Sequence, residues 1–228
     1  MRFRSKRYRQ SDQDAVTGGP FELGEAVQRL KAFPSARFDE SVDLAVNVGI
    51  DPKQTEQQVR GSFSLPHGVG KEKRVVAFAE GKKAEEARAA GAIEVGSTDL
   101  VEKILGGWTD FDVAVATPDM MRHVGKLGRV LGPQGKMPAP KSGTVTNDVG
   151  TVVAEFKAGK VEFRVDKGAT VHVAVGKKSF EPPKLVGNVQ AMLDHLRTLR
   201  PATAKGNFIR SASLSATMSP AVKIAVGE

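Results

Sequence analysis

Cysteine is absent from the 228 residues of this chain. That excludes disulfides, iron–sulfur clusters, thiolate zinc sites and cysteine nucleophiles, and it permits a reducing compartment. Aromatic residues are scarce at 6%, with one Trp and one Tyr, so a core has to be built from Val, Leu, Ile, Ala and the eleven Phe. No apolar run approaches the roughly 18–20 residues that a membrane-spanning helix needs. The first ten residues, MRFRSKRYRQ, lead into no apolar stretch of the kind a secretory signal carries, so a cytoplasmic chain is expected.

Catalytic signatures are missing as well. A phosphate loop ending at Gly135-Lys136 would need glycine where Val130 stands and Ser or Thr where Met137 stands. It would also follow a strand, whereas this loop follows a helical pattern. Gly68-x-Gly70 stops short of a dinucleotide fingerprint, because Lys73 occupies the third glycine position. His67, His123, His172 and His195 lie far apart, and none pairs with another ligand at helical spacing. No Gly-x-Ser-x-Gly elbow and no outstanding carboxylate pair is present. The expectation is a protein that is not an enzyme and uses no cofactor or metal.

What the chain does have is charge. The net charge is +8 and the isoelectric point is about 9.7, which favours a polyanionic partner. At 40% hydrophobic residues a packed core is within reach. The excess charge is unevenly placed. Residues 68–158 hold 13 Lys and Arg against 12 acids, a net of +1, and the remainder hold 21 against 14, a net of +7.

Periodicity divides the chain along the same line. A helix is expected at 22–33, ended by Pro34. Residues 42–50 alternate strictly (Val42, Leu44, Val46, Val48, Ile50), which makes a strand with one buried face. A second strand at 59–65 stops at Pro66-His67-Gly68. From Lys73 short apolar strands (74–79, 92–95, 111–117) alternate with helices (82–90, 99–105, 120–131), the pattern of parallel βαβ units. After Gly159 the earlier pattern returns. Strands at 161–165 and 170–175 flank Asp166-Lys167-Gly168 as an expected hairpin, a helix spans 184–199, and strands cover 207–218 and 222–226. The fold class expected is therefore α/β and α+β: a split two-layer α+β domain from both chain ends (1–67 and 159–228) with an α/β domain (68–158) inserted. Hinges are expected near Pro66 and Gly159, and a monomer is expected because no self-complementary seam is visible.

Several residues invite a nucleic-acid reading. The basic run Arg2, Arg4, Lys6, Arg7 and Arg9 with Tyr8 suits phosphates and a stacked base, or is a solvated tail. Arg164, Lys167, Lys177 and Lys178 extend a basic surface around the expected hairpin. Lys136 and Lys141 border a proline-rich loop. Ser211, Ser213, Ser215 and Thr217 place hydroxyls on one face of a strand, where they suit phosphate or a ribose 2′-OH or form an ordinary wet face.

The segments 5–9 (SKRYR), 38–41 (FDES), 59–70 (VRGSFSLPHGVG), 106–119 (GGWTDFDVAVATPD), 124–145 (VGKLGRVLGPQGKMPAPKSGTV) and Thr217-Met218 resemble the family of bacterial large-subunit ribosomal protein one, in order over essentially the whole chain. The resemblance implies an RNA-binding split domain and a Rossmann-like insert. It also implies binding to the stalk region of large-subunit ribosomal RNA near the exit site, help in releasing deacylated exit-site tRNA, and repression of the protein's own operon mRNA. The RNA contacts it implies are Phe38 with Arg37 and Glu40, Asp166 and Lys167, and Ser211, Thr217 and Met218. Two positions depart from the family pattern. Ser219 replaces the glycine usual after Thr-Met, and Val165 replaces the Asn common before Asp166. Binding is expected to survive both.

Overall fold

The computed structural model describes residues 4–16, 19–52, 54, 57–204 and 206–226. It is a mixed α/β structure with three sheets, and the chain separates into two compact units: Met1–Gly70 with Val161–Glu228, and Lys71–Lys160.

In the first unit, α1 (Lys6–Val16) and α2 (Leu23–Ala32) precede the long strand β1 (Ser41–Val48) and the short β2 (Arg60–Ser64). After the second unit come β6 (Lys160–Arg164), β7 (Thr170–Lys177), α8 (Pro182–Thr198), β8 (Ile209–Ala216) and β9 (Val222–Ile224). Four strands form an antiparallel sheet in the order β7-β1-β8-β9. Strand alternation decides its two faces. Val42, Leu44, Val46 and Val48 in β1, Val171, Val173 and Val175 in β7, and Ala212, Leu214 and Ala216 in β8 are buried with Ala26, Val27 and Leu30 of α2 and Leu185, Val189, Met192 and Leu196 of α8. The opposite face carries Ser41, Asp43, Ala45, Asn47, His172, Ser211, Ser213, Ser215 and Lys223, all half-buried or exposed.

The second unit holds β3 (Val75–Phe78), β4 (Glu94–Gly96) and β5 (Val113–Ala116) as a parallel sheet in the order β4-β3-β5. Both of its faces are covered, so its central strands are apolar throughout. Val76, Phe78, Ala114 and Ala116 pack with α4 (Thr98–Leu105) and with a helical run made of α5 (Met121–Val124), a 3-10 turn (Gly125–Leu127) and α6 (Gly128–Leu131). Val75, Ala77, Val113 and Val115 pack with α3 (Lys82–Ala89) and α7 (Val149–Ala158). Among the described residues no helix is long and apolar enough to cross a membrane.

The structure differs from the sequence expectation in three places. The basic N-terminal segment is helical from Lys6. Ser5 Oγ accepts from the Tyr8 amide at 3.3 Å, and Ser11 and Ala15, one turn apart, are buried. Two small buried residues make too faint an apolar stripe to announce a helix. α7 is an additional helix. Asp148 Oδ1 accepts from the Thr151 amide at 3.3 Å, and Gly159 closes the helix at φ 118°. Its β-branched run Thr151-Val152-Val153 hides it. Finally, 161–165 and 170–175 do not form a hairpin. β6 pairs with β2, β7 pairs with β1, and only a single bridge, Val165 to Val171, joins β6 to β7. The connecting turn carries Ala169 at φ 58°, and seven positions of β7 are already paired along β1.

The β2–β6 ribbon is seated on α8 through His195. Its ring stacks on Phe63 at 4.4 Å and meets the edge of Phe163 at 5.8 Å. Burial pushes the His195 pKa below its ordinary value of 6.5. The unfolded chain therefore takes up the proton first, and stability is present in full above pH 6.5 and falls as the pH drops below it. Urea unfolding at a series of pH values is expected to show this loss in the wild type and a flatter profile in His195→Phe.

Candidate nucleic-acid interface

The two ends of the uncovered sheet face are built differently. At one end, a single carboxylate joins two loops that are remote in sequence. Glu40 is only 1% exposed. Its Oε1 accepts from the Ala36 amide at 2.7 Å and its Oε2 from the Met218 amide at 3.0 Å. The two loops so fixed carry Phe38 and Met218, which are 53% and 49% exposed. Thr217 is exposed beside them. Its Oγ1 accepts from the Ser41 amide at 3.1 Å and donates to the Ser41 carbonyl at 3.4 Å, the longer and weaker of the two bonds.

Cations stitch the same end together. Lys178 Nζ donates to the Phe33 carbonyl at 2.6 Å, Arg7 Nη1 to the Ser35 carbonyl at 3.3 Å, and Lys31 Nζ to the Phe180 carbonyl. Burial pushes the Lys178 pKa down, with the Glu40 carboxylate opposing that shift. Asp39 accepts from the Ser179 amide at 3.1 Å and the Ser179 hydroxyl at 2.8 Å, while Lys177 Nζ reaches Ser41 Oγ at 2.9 Å. Arg37 and Lys6 are exposed.

At the other end stands the turn 166–169. Asp166 Oδ1 accepts from the Gly168 and Thr170 amides, both at 2.8 Å, and these bonds, that from Thr170 foremost, hold its carboxyl below the usual carboxylate range. Asn47 Nδ2 donates to the Gly168 carbonyl at 3.2 Å. Lys167 projects from the tip, and Arg164 is exposed on β6. Ser211 lies opposite Asn47 in the β1–β8 register. Between the two ends run Ser213 and Ser215, paired with Ala45 and Asp43. Burial raises the Asp43 pKa. From Ser41 to Asn47 the face is about 20 Å long, at the ~3.4 Å rise of an antiparallel strand.

Of the residues singled out in the sequence, Phe38, Arg37, Thr217 and Met218 thus meet at one end, and Asp166, Lys167 and Ser211 at the other. Two of them have structural duties in place of a free surface: Glu40 is buried under its two amides, and the Asp166 Oδ1 is occupied by its own turn. Lys178, read as surface charge, is buried as well. Asn47, Asp39 and Ser179 were not legible as site residues. Each is an ordinary polar residue until a distant partner is known.

A family model described as the ribosomal protein L1p/L10e family matches residues 30–220. The chain belongs to that family. The large ribosomal subunit protein uL1 of Kosmotoga olearia is 50% identical over 221 residues, covering 97% of this chain and 96% of its own. The protein of the same name from Chlamydia trachomatis serovar L2b is 52% identical over 219 residues, covering 96% and 94%. The L1p/L10e proteins are structural, non-enzymatic ribosomal components, and this chain is one of them.

Membership also brings the two departures into focus. Ser219 has no left-handed backbone, since Ala169 is the only non-glycine residue at positive φ among those described. Its Oγ accepts from the Ala216 amide at 3.0 Å and donates to the Pro220 carbonyl at 3.2 Å. The serine therefore closes its turn with its own side chain. Val165 is partly buried against the core of the first unit, and its amide donates to the Val59 carbonyl at 3.1 Å.

Proposed function

We propose that this L1p/L10e protein is a structural constituent of the large subunit of the cytoplasmic ribosome. It binds the stalk region of large-subunit ribosomal RNA through the uncovered sheet face of a split α+β domain, residues 1–67 and 159–228. Residues 68–158 form a Rossmann-like insert. In this role the protein assists departure of deacylated tRNA from the exit site and represses its own operon mRNA by taking a similar RNA structure on the same face.

The observation that carries the reading is the pair of pinned ends on one hydroxyl-lined face. Rigid loops lose little entropy on binding. Thr217 and Ser211 present hydroxyls to phosphate or 2′-OH, Lys167, Arg164, Arg37, Lys6 and Arg7 supply positive charge, and Phe38 and Met218 offer apolar cover for ribose or base. Glu40 and Asp166 act by holding backbone, and Ser219 by closing the turn after Met218.

The test is a salt titration of the full chain with a stalk-region RNA fragment against a DNA duplex. RNA preference is expected to persist at high salt. Thr217→Val is expected to weaken binding about 10- to 100-fold, the scale of one hydrogen bond to a charged group. Lys167→Gln is expected to reduce the salt slope by about one. Ser219→Gly is expected to bind nearly as wild type. Collapse of binding with salt, together with equal affinity for DNA, would leave a general nucleic-acid-binding protein held by counterion release.

A further inference from the structure

The second unit is nearly neutral in sum but strongly divided in charge. Residues 71–119 hold 7 Lys and Arg against 10 acids, whereas residues 120–147 hold five cations and no acid. Within those twenty-eight consecutive residues no carboxylate offsets the cations, the nearest in sequence being Asp119 and Asp148 at either side.

Three of the five stand on one helix face. In the helical run 121–131, Val124, Leu127 and Leu131 are fully buried, and Met120 just before it is also buried. These positions recur three and four residues apart, so they form the stripe that faces the core. Arg122, Lys126 and Arg129 recur with the same spacing on the opposite side, and all three are exposed. Among the described residues none of them makes an ion pair or a side-chain hydrogen bond. From Arg122 to Arg129 is about 10 Å along the axis, at ~1.5 Å per residue. Beside this stripe run Gly125 and Gly128, where an added Cβ would meet nothing within 4 Å. A broad ligand can therefore approach the bare helix backbone between the cations.

We propose that this face is a second RNA surface, on which Arg122, Lys126 and Arg129 grip the sugar–phosphate backbone of a paired RNA stem. The inference stands apart from the sheet-face reading, because every residue it uses lies in the second unit. Unpaired cations spaced over a few phosphate repeats suit a polyanion, and two arginines add planar, bidentate donors for phosphate oxygens. A membrane surface fits less well. The apolar side of the run is spent on the protein core, so nothing remains to insert among lipids.

The probe is an RNA hairpin with a long paired stem unrelated to the stalk, titrated with the full chain over a range of salt. R122Q/K126Q/R129Q is expected to weaken binding about 10- to 100-fold and to lower the salt slope by about 2–3, close to 0.9 per phosphate released. K71Q/K82Q/K157Q removes the same charge elsewhere in the unit and is expected to change little. Both variants alter exposed side chains only, so unchanged thermal unfolding confirms that each is folded. Equal loss in the two triple variants would mean bulk charge alone and would overturn the proposal. So would competition by phosphatidylserine vesicles as strong as that by the hairpin. The sheet-face reading is tested with the stalk-region fragment and this one by the difference between the two triple variants on the unrelated hairpin, so failure of the one and failure of the other are told apart.

Discussion

Replacing Glu40 with alanine is expected to cost about 3–5 kcal/mol of stability and most of the affinity for RNA. The carboxylate is 1% exposed and is the acceptor for two amides, those of Ala36 and Met218. Removing it orphans both amides at about 1–3 kcal/mol each. It also leaves the buried Lys178 ammonium without the opposing charge that favours its ionised form. The same deletion frees Phe38 and Met218 from their fixed positions, so affinity falls for want of preorganisation even though neither residue is changed. A double-mutant cycle sharpens the test. In the Lys178→Met background, Glu40→Ala is expected to cost 1–3 kcal/mol less, because no stranded cation remains. Urea denaturation of the four proteins measures the coupling. Additive costs would show that Glu40 and Lys178 do not act as a unit.

Asn188 is expected to be nearly as sensitive. It is fully buried on α8. Its Oδ1 accepts from the His67 amide at 3.0 Å, and its Nδ2 donates to the Gly68 carbonyl at 2.9 Å and the Val175 carbonyl at 2.8 Å. One side chain thus satisfies three backbone groups and fixes the turn at Pro66-His67-Gly68. Asn188→Ala is expected to lose about 3–4 kcal/mol, with a fall in Tm of about 10 °C. Asn188→Asp keeps the shape but sets a carboxylate against two carbonyl oxygens, so it is expected to be at least as harmful. A loss under 1 kcal/mol in either variant, measured by thermal and urea unfolding, would contradict this account.

Neither residue announced that importance in the sequence. Glu40 was legible as part of a recognisable segment, but as a contact to RNA. Its burial depends on Met218, 178 residues away. Asn188 sits on the apolar stripe of its helix, three residues after Leu185 and four before Met192, but the backbone groups it satisfies lie 13 to 121 residues away. Asp166 was legible as a turn residue, and its duty is indeed local, since its partners lie two and four residues on. The expected hairpin failed for the opposite reason. The local pattern of two strands around Asp-Lys-Gly was right, but strand partners are chosen by long-range contacts: β6 joins β2, β7 joins β1, and only the Val165 to Val171 bridge links the two.

The sequence by itself determined what depends on near neighbours and on sums. It set the alternation that makes β1 two-faced, the apolar strands of the parallel sheet, the charge imbalance and the segments that mark the family. Tertiary structure alone decided which polar residues are exposed and which are clamps. It buried Glu40 and Lys178, brought Phe38 to Met218, and set Asn47 against Ser211. The reason is physical. Periodicity and charge are properties of a chain, whereas the cost of burying a polar group is set by whichever partner the fold delivers to it.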